Sequence, residues 1–312
     1  MSVRVTIGIL CFNAEDTISK AIESAINQTW DNKEIIIVDD NSTDKSLQII
    51  DKYLLHKNIL LFKNDLNMGP AFSRNIVIDN ATGDLIGFMD DDDISEKNRI
   101  SYQVKSIYEK GYPERKHIIS TCGIIRTYQT GYKLYLKPMG VKGKLPIGKE
   151  LADFLLYNKK NQNTDYGFGI PTCSMLATKE CFNDSGNFDI NLKRVEDMEI
   201  CIRFSLANYI FTSTEKFLVF QKSSSGSDKS PEKNYESEIK LVKKYKKYLV
   251  SKKMFRYSLF WPRLRFYHFK KNYLNMLGIL IILLFINPIR TIPHFLNSSI
   301  KRFSHERKIS QG

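Results

Sequence analysis

The chain has 312 residues, of which 42% are hydrophobic, and a formal net charge of +13. That length holds one large α/β domain with an appendage, and that apolar content fills an ordinary core, which excludes a disordered or fibrous chain. The charge is lopsided: residues 240–312 carry 17 Lys and Arg against one acidic residue, Glu306, so a near-neutral body (net −3) precedes a basic tail (net +16).

Five cysteines (Cys11, Cys122, Cys173, Cys181, Cys201) make an odd count without metal-type spacing. Their apolar surroundings predict reduced, buried thiols of the cytosol. The histidines form no cluster. The N-terminus enters an apolar run directly, without a charged segment leading into a hydrophobic one, so no secretory signal is expected.

In chain order, Val3–Leu10 reads as a strand. Behind the capping candidate Asp16, Ile18, Ala21, Ile22, Ala25 and Ile26 recur at helical spacing. Glu34–Val38 is a second strand, too apolar to face water on either side. A helix follows Ser42-Thr43-Asp44 with Leu47, Ile50 and Leu54 on one face. Ile59–Phe62 is a third strand, Pro70–Ala81 a helix closed by Gly83, and Leu85–Met89 a fourth strand. Strict alternation with continuously apolar strands predicts a mainly parallel sheet covered by helices on both faces.

The fourth strand runs into four consecutive carboxylates, Asp90, Asp91, Asp92 and Asp93. A solvated loop with a helix cap explains one or two of them. Packed carboxylates become tolerable around a divalent cation, and hard oxygen ligands suit Mg²⁺ or Mn²⁺. The other strand ends contribute Phe12 and Asn13, then Asp39 and Asp40, with Arg74 at the start of a helix. In an open α/β sheet these ends form a crevice. There an aromatic face stacks a base, a carboxylate takes base N–H or ribose hydroxyls, and a guanidinium with a metal neutralises a diphosphate. No G-x-G-x-x-G follows the first strand and no phosphate-loop motif occurs, so the dinucleotide and P-loop readings lose their main support.

Several stretches together resemble glycosyltransferase family 2, the inverting enzymes with the GT-A nucleotide-diphospho-sugar fold. Thr6–Asn13 is similar to the family's opening strand. Asn27-Gln28-Thr29-Trp30 with Glu34–Asp44, then Asn67, Gly69, Arg74-Asn75, Thr82-Gly83-Asp84 and Met89–Asp93, complete the donor half in order. The resemblance implies that Asp90-Asp91-Asp92 is the D-x-D motif, with Asp92 as the direct ligand of Mn²⁺ or Mg²⁺ and Asp90 supporting it. Asp91 would contact the ribose or stand behind a residue that does, and Phe12 and Asp40 would hold the base, with Leu10, Asn13, Asp39 and Arg74 completing the nucleotide site. Asp93 is left as a loop or cap residue. Two positions depart from the family: Leu10 stands where Pro or Thr is common, and Asp91 where Ser or Ala is frequent.

Further along, Ser95–Glu109 reads as a helix, and Ile118–Tyr128 with Tyr132–Leu136 as a hairpin. Lys149–Tyr157 is a helix, Asn158–Asp165 a polar loop, and Ile170–Leu176 a strand returning to the core. Glu196 and Asp197 fall in the first turn of another helix, where the macrodipole alone would favour acids. The resemblance gives them a second role, as the family's E-D pair with Asp197 as general base. Glu196 and Arg203 are then assigned to the acceptor side or to support of the base.

The tail opens on Ser223–Ser227, a boundary, and continues as a Lys-rich helical pattern from about Asn234. Aromatics then alternate with cations, and Met276–Ile286 lacks any polar side chain. A spanning helix needs about 20 apolar residues, and Asn275, Asn287-Pro288 and Arg290 close this run too early. An interfacial segment fits best, with a helix packed on the body or on a second subunit as the alternative. Nucleic acid is disfavoured by the long uncharged run.

The expectation is therefore a GT-A domain over 1–222 (nucleotide half 1–95, acceptor half 96–222) and a basic helical region 223–312 with an apolar segment at 274–286. The activity implied is transfer of one sugar, with inversion, from a nucleotide-diphosphate sugar, biased to UDP, onto a glycan or lipid-linked acceptor of bacterial polysaccharide synthesis. The expected place is cytoplasmic, peripheral on the inner face of the cell membrane. A processive synthase lacks its Q-x-x-R-W pattern here. A nucleotidyltransferase and a non-catalytic nucleotide-sugar scaffold are the remaining rivals.

Overall fold

The computed structural model describes residues 3–223 and 230–311. The boundary expected at Ser223–Ser227 thus lies, after Ser223, outside the described residues.

The first half follows the alternation read from sequence: β1 (Val5–Cys11), α1 (Ile18–Ile26), β2 (Lys33–Asp39), α2 (Ser46–Asp51), β3 (Ile59–Lys63), α3 (Pro70–Asn80) and β4 (Leu85–Asp90). β1 is buried along its whole length, as a strand covered on both faces must be. It pairs in parallel with β2 on one side and β4 on the other. The chain thus winds outward through β2 to β3, then returns to start again beside β1. This reversal is the topological switch point at which α/β sheets open a crevice. Leu10 lies opposite Asp90, and Cys11 opposite Asp39, so the acidic strand ends come side by side.

Two close contacts fix this register. A Cβ on Gly8 would sit 2.6 Å from Val77 of α3, so only glycine lets that helix approach β1. Glu34, buried in β2, accepts hydrogen bonds from Thr6 Oγ1 (2.5 Å), Thr82 N (2.7 Å) and Thr82 Oγ1 (2.6 Å). Burial pushes the Glu34 pKa up, but these bonds and Arg4 outweigh it and hold the carboxyl below its usual range.

The second half is β5 (Asp93–Ser95), α4 (Arg99–Tyr108), β6 (Ile118–Thr127), β7 (Lys133–Leu136), α5 (Gly148–Tyr157), β8 (Met175–Thr178), α6 (Lys179–Ser185), α7 (Glu196–Leu206) and β9 (Ile210–Lys222). The sheet continues past β4 in the order β8-β6-β9-β5, with β7 as the hairpin partner of β6. Here it is mixed: β8 runs antiparallel to β4 and β6, while β9 runs parallel to β6. Two expectations need correction. The strand expected at Ile170–Leu176 is a 3-10 turn, Thr172–Ser174, that only then enters β8, since Pro171 withholds the N–H a strand would use. The helix expected from Ser95 begins only at Arg99, because Asp93–Ser95 pairs with β9 as the short strand β5.

The C-terminal region is helical: α8 (Pro231–Lys244), α9 (Lys246–Ser251), α10 (Phe255–Phe269), α11 (Tyr273–Ile286) and α12 (Pro288–Gln311). Leu241, Leu249, Tyr257, Ile279 and Leu283 join Ala152, Leu156, Leu192 and Ile202 of the body in one apolar cluster. The tail therefore packs on α5 and α7 through its inner face. Some of its cations are spent internally: Lys244 meets Asp189 (2.5 Å) and Glu199 (2.8 Å), and Arg265 meets Glu238 (3.0 Å). Among the described residues no helix is long and apolar enough to cross a membrane. All five cysteines are buried free thiols.

Candidate active site

At the end of β4 the acidic run divides. Asp91 Oδ2 accepts from the Phe12 backbone N–H (2.9 Å), tying the acid run to the end of β1. Burial, with Asp90 and Asp92 adding repulsion, pushes the Asp91 carboxyl up to about 7 against that bond. Asp93, expected as a loop or cap residue, is instead a buried strand residue: β5 pairs with β9, placing Asp93 opposite Gln221. Its Oδ2 accepts from Gln221 Nε2 (2.9 Å), while its Oδ1 is buried without a hydrogen-bond partner. Burial first, then the Asp90 charge, raises its pKa well above the carboxylate range.

These features fit a cation. Ligand atoms of Asp90, Asp93 and Cys173 lie within 4.8 Å of one another, and Asp92 lines the same cleft. An orphaned carboxylate oxygen beside other acids costs free energy that a divalent ion would recover. The carboxylates suit Mg²⁺ or Mn²⁺, and the thiol adds a softer donor.

The nucleotide-side residues stand at the ends of β1 and β2. Phe12 is exposed and Leu10 belongs to the core beneath it. Asn13, at φ +50°, donates its N–H to Ser42 Oγ (2.9 Å) and accepts from Thr43 N (2.8 Å), closing the two strand ends together. Asp40 is occupied: it accepts from Asn64 Nδ2 (2.6 Å), Met68 N (2.9 Å) and Gly69 N (2.7 Å), which shapes the loop before α3. Asp39 accepts from Ser42 N (3.0 Å) through Oδ2, but its Oδ1 is buried without a partner.

Arg74, buried in the first turns of α3, joins the two halves of the chain. Its Nη1 donates to Glu196 Oε1 (2.6 Å), and its Nη2 lies 3.5 Å from Asp90 Oδ1. Sequence reasoning placed this guanidinium on a diphosphate; here two carboxylates claim it. Glu196 and Asp197 open α7, as expected. Val195 just before them is left-handed at φ +62°, an uncommon conformation for a β-branched side chain that costs roughly 1–3 kcal/mol. Burial, then the adjacent Glu196, pushes the Asp197 carboxyl up to about 6, with Arg74 and the Met198 N–H opposing.

Arg74, Asp90, Asp92, Asp93, Glu196 and Asp197 thus line one cleft of about 410 Å³. Leu10, Phe12, Asn13, Asp39 and Asp40 lie outside its lining, connected to it through Asp91. Arg203 does not line it either; of the two places expected for it, its contacts agree with support of α7. Pairing with Glu199 one turn earlier on α7 (2.9 Å) swings its guanidinium onto the carbonyls of Ser185, Gly186 and Asn187. Sequence reasoning missed Arg126, Tyr128, Arg194 and Lys222, which also line the cleft. Arg126 and Lys222 end neighbouring strands, with Thr127 opposite Lys222; cations closing two adjacent strands were the available signal.

Residues 6–179 match the model of the glycosyl transferase family 2. The UDP-Glc:alpha-D-GlcNAc-diphosphoundecaprenol beta-1,3-glucosyltransferase WfaP of Escherichia coli is 42% identical over 100 residues, 32% of this chain and 39% of that enzyme. The chain spans about two fifths of the length of such curated relatives. S. aureus TarS 1–349 in complex with UDP-GlcNAc superposes with TM-score 0.59 at 19% identity, covering 77% of this chain and 65% of that one. The mannosyltransferase PcManGT from Pyrobaculum calidifontis, in complex with GDP-Man and Mn2+, gives TM-score 0.57 at 12% identity, covering 97% and 81%. These two likenesses concern the fold, which is GT-A. With the family match covering more than half of its length, the chain belongs to glycosyltransferase family 2.

Proposed function

We propose that this enzyme moves one sugar from a UDP-sugar to a hydroxyl of a lipid-linked or polymeric glycan with inversion, using Asp197 as general base. The single observation that carries this reading is the Arg74 bridge, 2.6 Å to Glu196 and 3.5 Å to Asp90. It sets a metal-type acid run and an acid of raised pKa on two walls of one cleft.

In a single displacement the acceptor hydroxyl loses its proton as its oxygen attacks the anomeric carbon. Asp197 takes that proton, a contribution of roughly 10²–10⁴ in rate. Its raised pKa makes it a better base than an ordinary carboxylate. Glu196 and Arg74 are positioning residues, holding Asp197 opposite the acid run. Asp92 and Asp90 would hold Mn²⁺ or Mg²⁺, with the orphaned Asp93 oxygen as a further donor; such an ion neutralises charge on the departing diphosphate. Phe12 offers its exposed face to the base. Asp39, whose buried Oδ1 is unclaimed, fits a base N–H better than Asp40, which the loop consumes. Asp91 both orients the Phe12 backbone and stands nearest the ribose.

Support for the donor and acceptor comes from relatives. TarS was solved with UDP-GlcNAc; the name of WfaP specifies UDP-Glc and a diphosphoundecaprenol-linked acceptor. Another relative is a poly(ribitol-phosphate) beta-glucosyltransferase. A lipid-linked acceptor agrees with a peripheral position on the inner face of the cell membrane, with the basic C-terminal region towards the lipid. The decisive experiment is a donor screen with Mn²⁺, scoring nucleotide diphosphate release and the anomeric configuration of the product. UDP release with inversion is expected; pyrophosphate release, or retained configuration, would refute the reading.

A further inference from the structure

The helix α11 is apolar on every side, a composition that belongs in a core or in lipid. Only one of its faces is covered: Ile279 and Leu283 are buried in the apolar cluster shared by the tail and the body, whereas Leu274 is 82% and Phe285 86% exposed. Leu277 and Ile281 fill the interval at helical spacing. Past the bend at Pro288 the stripe resumes on α12, where Ile289 is 87% exposed and Ile292 and Leu296 follow on the same face. Single exposed hydrophobics need no explanation, but apolar stripes exposed on two successive helices mark a contact surface.

We propose that this outer face of α11 and α12 seats in the headgroup and upper acyl layer of an anionic bilayer. The proposal rests on the peripheral-membrane reading above and names the surface that carries it. Charge argues for lipid as the occupant. No acidic residue occurs between Glu238 and Glu306, and exposed Lys271 stands at the head of α11, beside Lys270, which meets Glu232 (2.5 Å). Phe269 and Tyr273 are exposed at the same end, where amphipathic rings favour the headgroup level. A second copy of the chain would set one cation-framed face against another like it, whereas acidic headgroups complement the frame. A polyphosphate chain would find no cation between Leu274 and Ile289. The length fits lying in the interface rather than crossing, since α11 has 14 residues.

The test is sedimentation of the full chain with vesicles of phosphatidylcholine alone and with phosphatidylglycerol added, without donor or acceptor. The chain is expected to pellet with the anionic vesicles. The pair Phe285→Glu and Ile289→Glu should weaken binding about tenfold or more, and the independent pair Leu274→Glu and Leu277→Glu should do the same. Leu55→Glu is the control: this residue of the body is 91% exposed but lies outside the two stripes, and its loss should change nothing. Unaltered circular dichroism and melting would show that the variants fold. Binding of both pairs at the level of the unaltered chain would overturn the face while leaving the membrane reading intact. No binding by the unaltered chain would overturn both. A dimer in sedimentation velocity that the same pairs dissociate, with no vesicle binding, would assign the face to a second copy. None of these outcomes touches the sugar-transfer chemistry, which the donor screen tests separately.

Discussion

The two walls of the cleft are built on different principles. One is local in sequence: four neighbouring acids at a strand end, held by pairing with β1 and β9. The other is a helix start more than a hundred residues later, held in place by a buried arginine and approached through a left-handed valine. The first concentrates negative charge and leaves Asp93 Oδ1 buried without a donor, so it suits an ion. The second isolates one carboxyl beside one competitor, so it suits proton transfer. Similar residue types thus acquire opposite tasks from their surroundings.

Substitutions should separate the walls. Asp197→Asn is expected to lower transfer by about 10²–10⁴ while leaving UDP affinity by calorimetry within about twofold. Asp92→Asn should do the reverse, weakening Mn²⁺ binding about tenfold or more in a metal titration and the nucleotide with it. Equal losses of both properties in both variants would erase the distinction.

Removing the link should damage the fold before the chemistry. Arg74→Met leaves Glu196 buried and unpaired, and Asp90 without its counter-charge, which is expected to cost about 3 kcal/mol in urea denaturation. Arg74→Lys should recover only part, because a point charge does not span both carboxylates.

The pH profile offers a finer probe. Asp197 has its pKa raised to about 6, so its basic form is lost as pH falls through that value, and kcat/KM should drop below about pH 6. Glu196→Gln removes the neighbouring charge that helps raise it, so the acidic limb should move to lower pH. The smallest effect belongs to Val195→Gly, expected to gain about 1 kcal/mol or less, since relief of the left-handed backbone is offset by entropy gained in the unfolded chain.

The first wall was legible because its information is contiguous. Apolar strands, turn residues and the Asp run lie within one reading window, and strand pairing carries them into the crevice. Asp93 was misjudged because its partner, Gln221, lies 128 residues away in sequence. The second wall was legible only as a resemblance, since a first-turn acid looks the same whether it serves the macrodipole or a substrate. Arg203 shows how a local pair decides where a side chain points. It lies near Asp197 in sequence, yet its i,i+4 partner turns it to the carbonyls after α6. Asp40 teaches the complement: a carboxylate at the right strand end can already be committed to its own loop.

The contact between α8 and α7 has a consequence for how the molecule can be divided. Tyr245 donates to Glu199 Oε1 (2.9 Å), Lys244 reaches the same oxygen at 2.8 Å, and Arg194 donates to Asn234 (3.1 Å). These braces fall on both sides of Asp197. The C-terminal helices are therefore a splint for α7 as well as a surface in their own right. A chain cut after β9 would forfeit these braces on both sides of the proposed base, and the tail is inseparable from the helix it steadies.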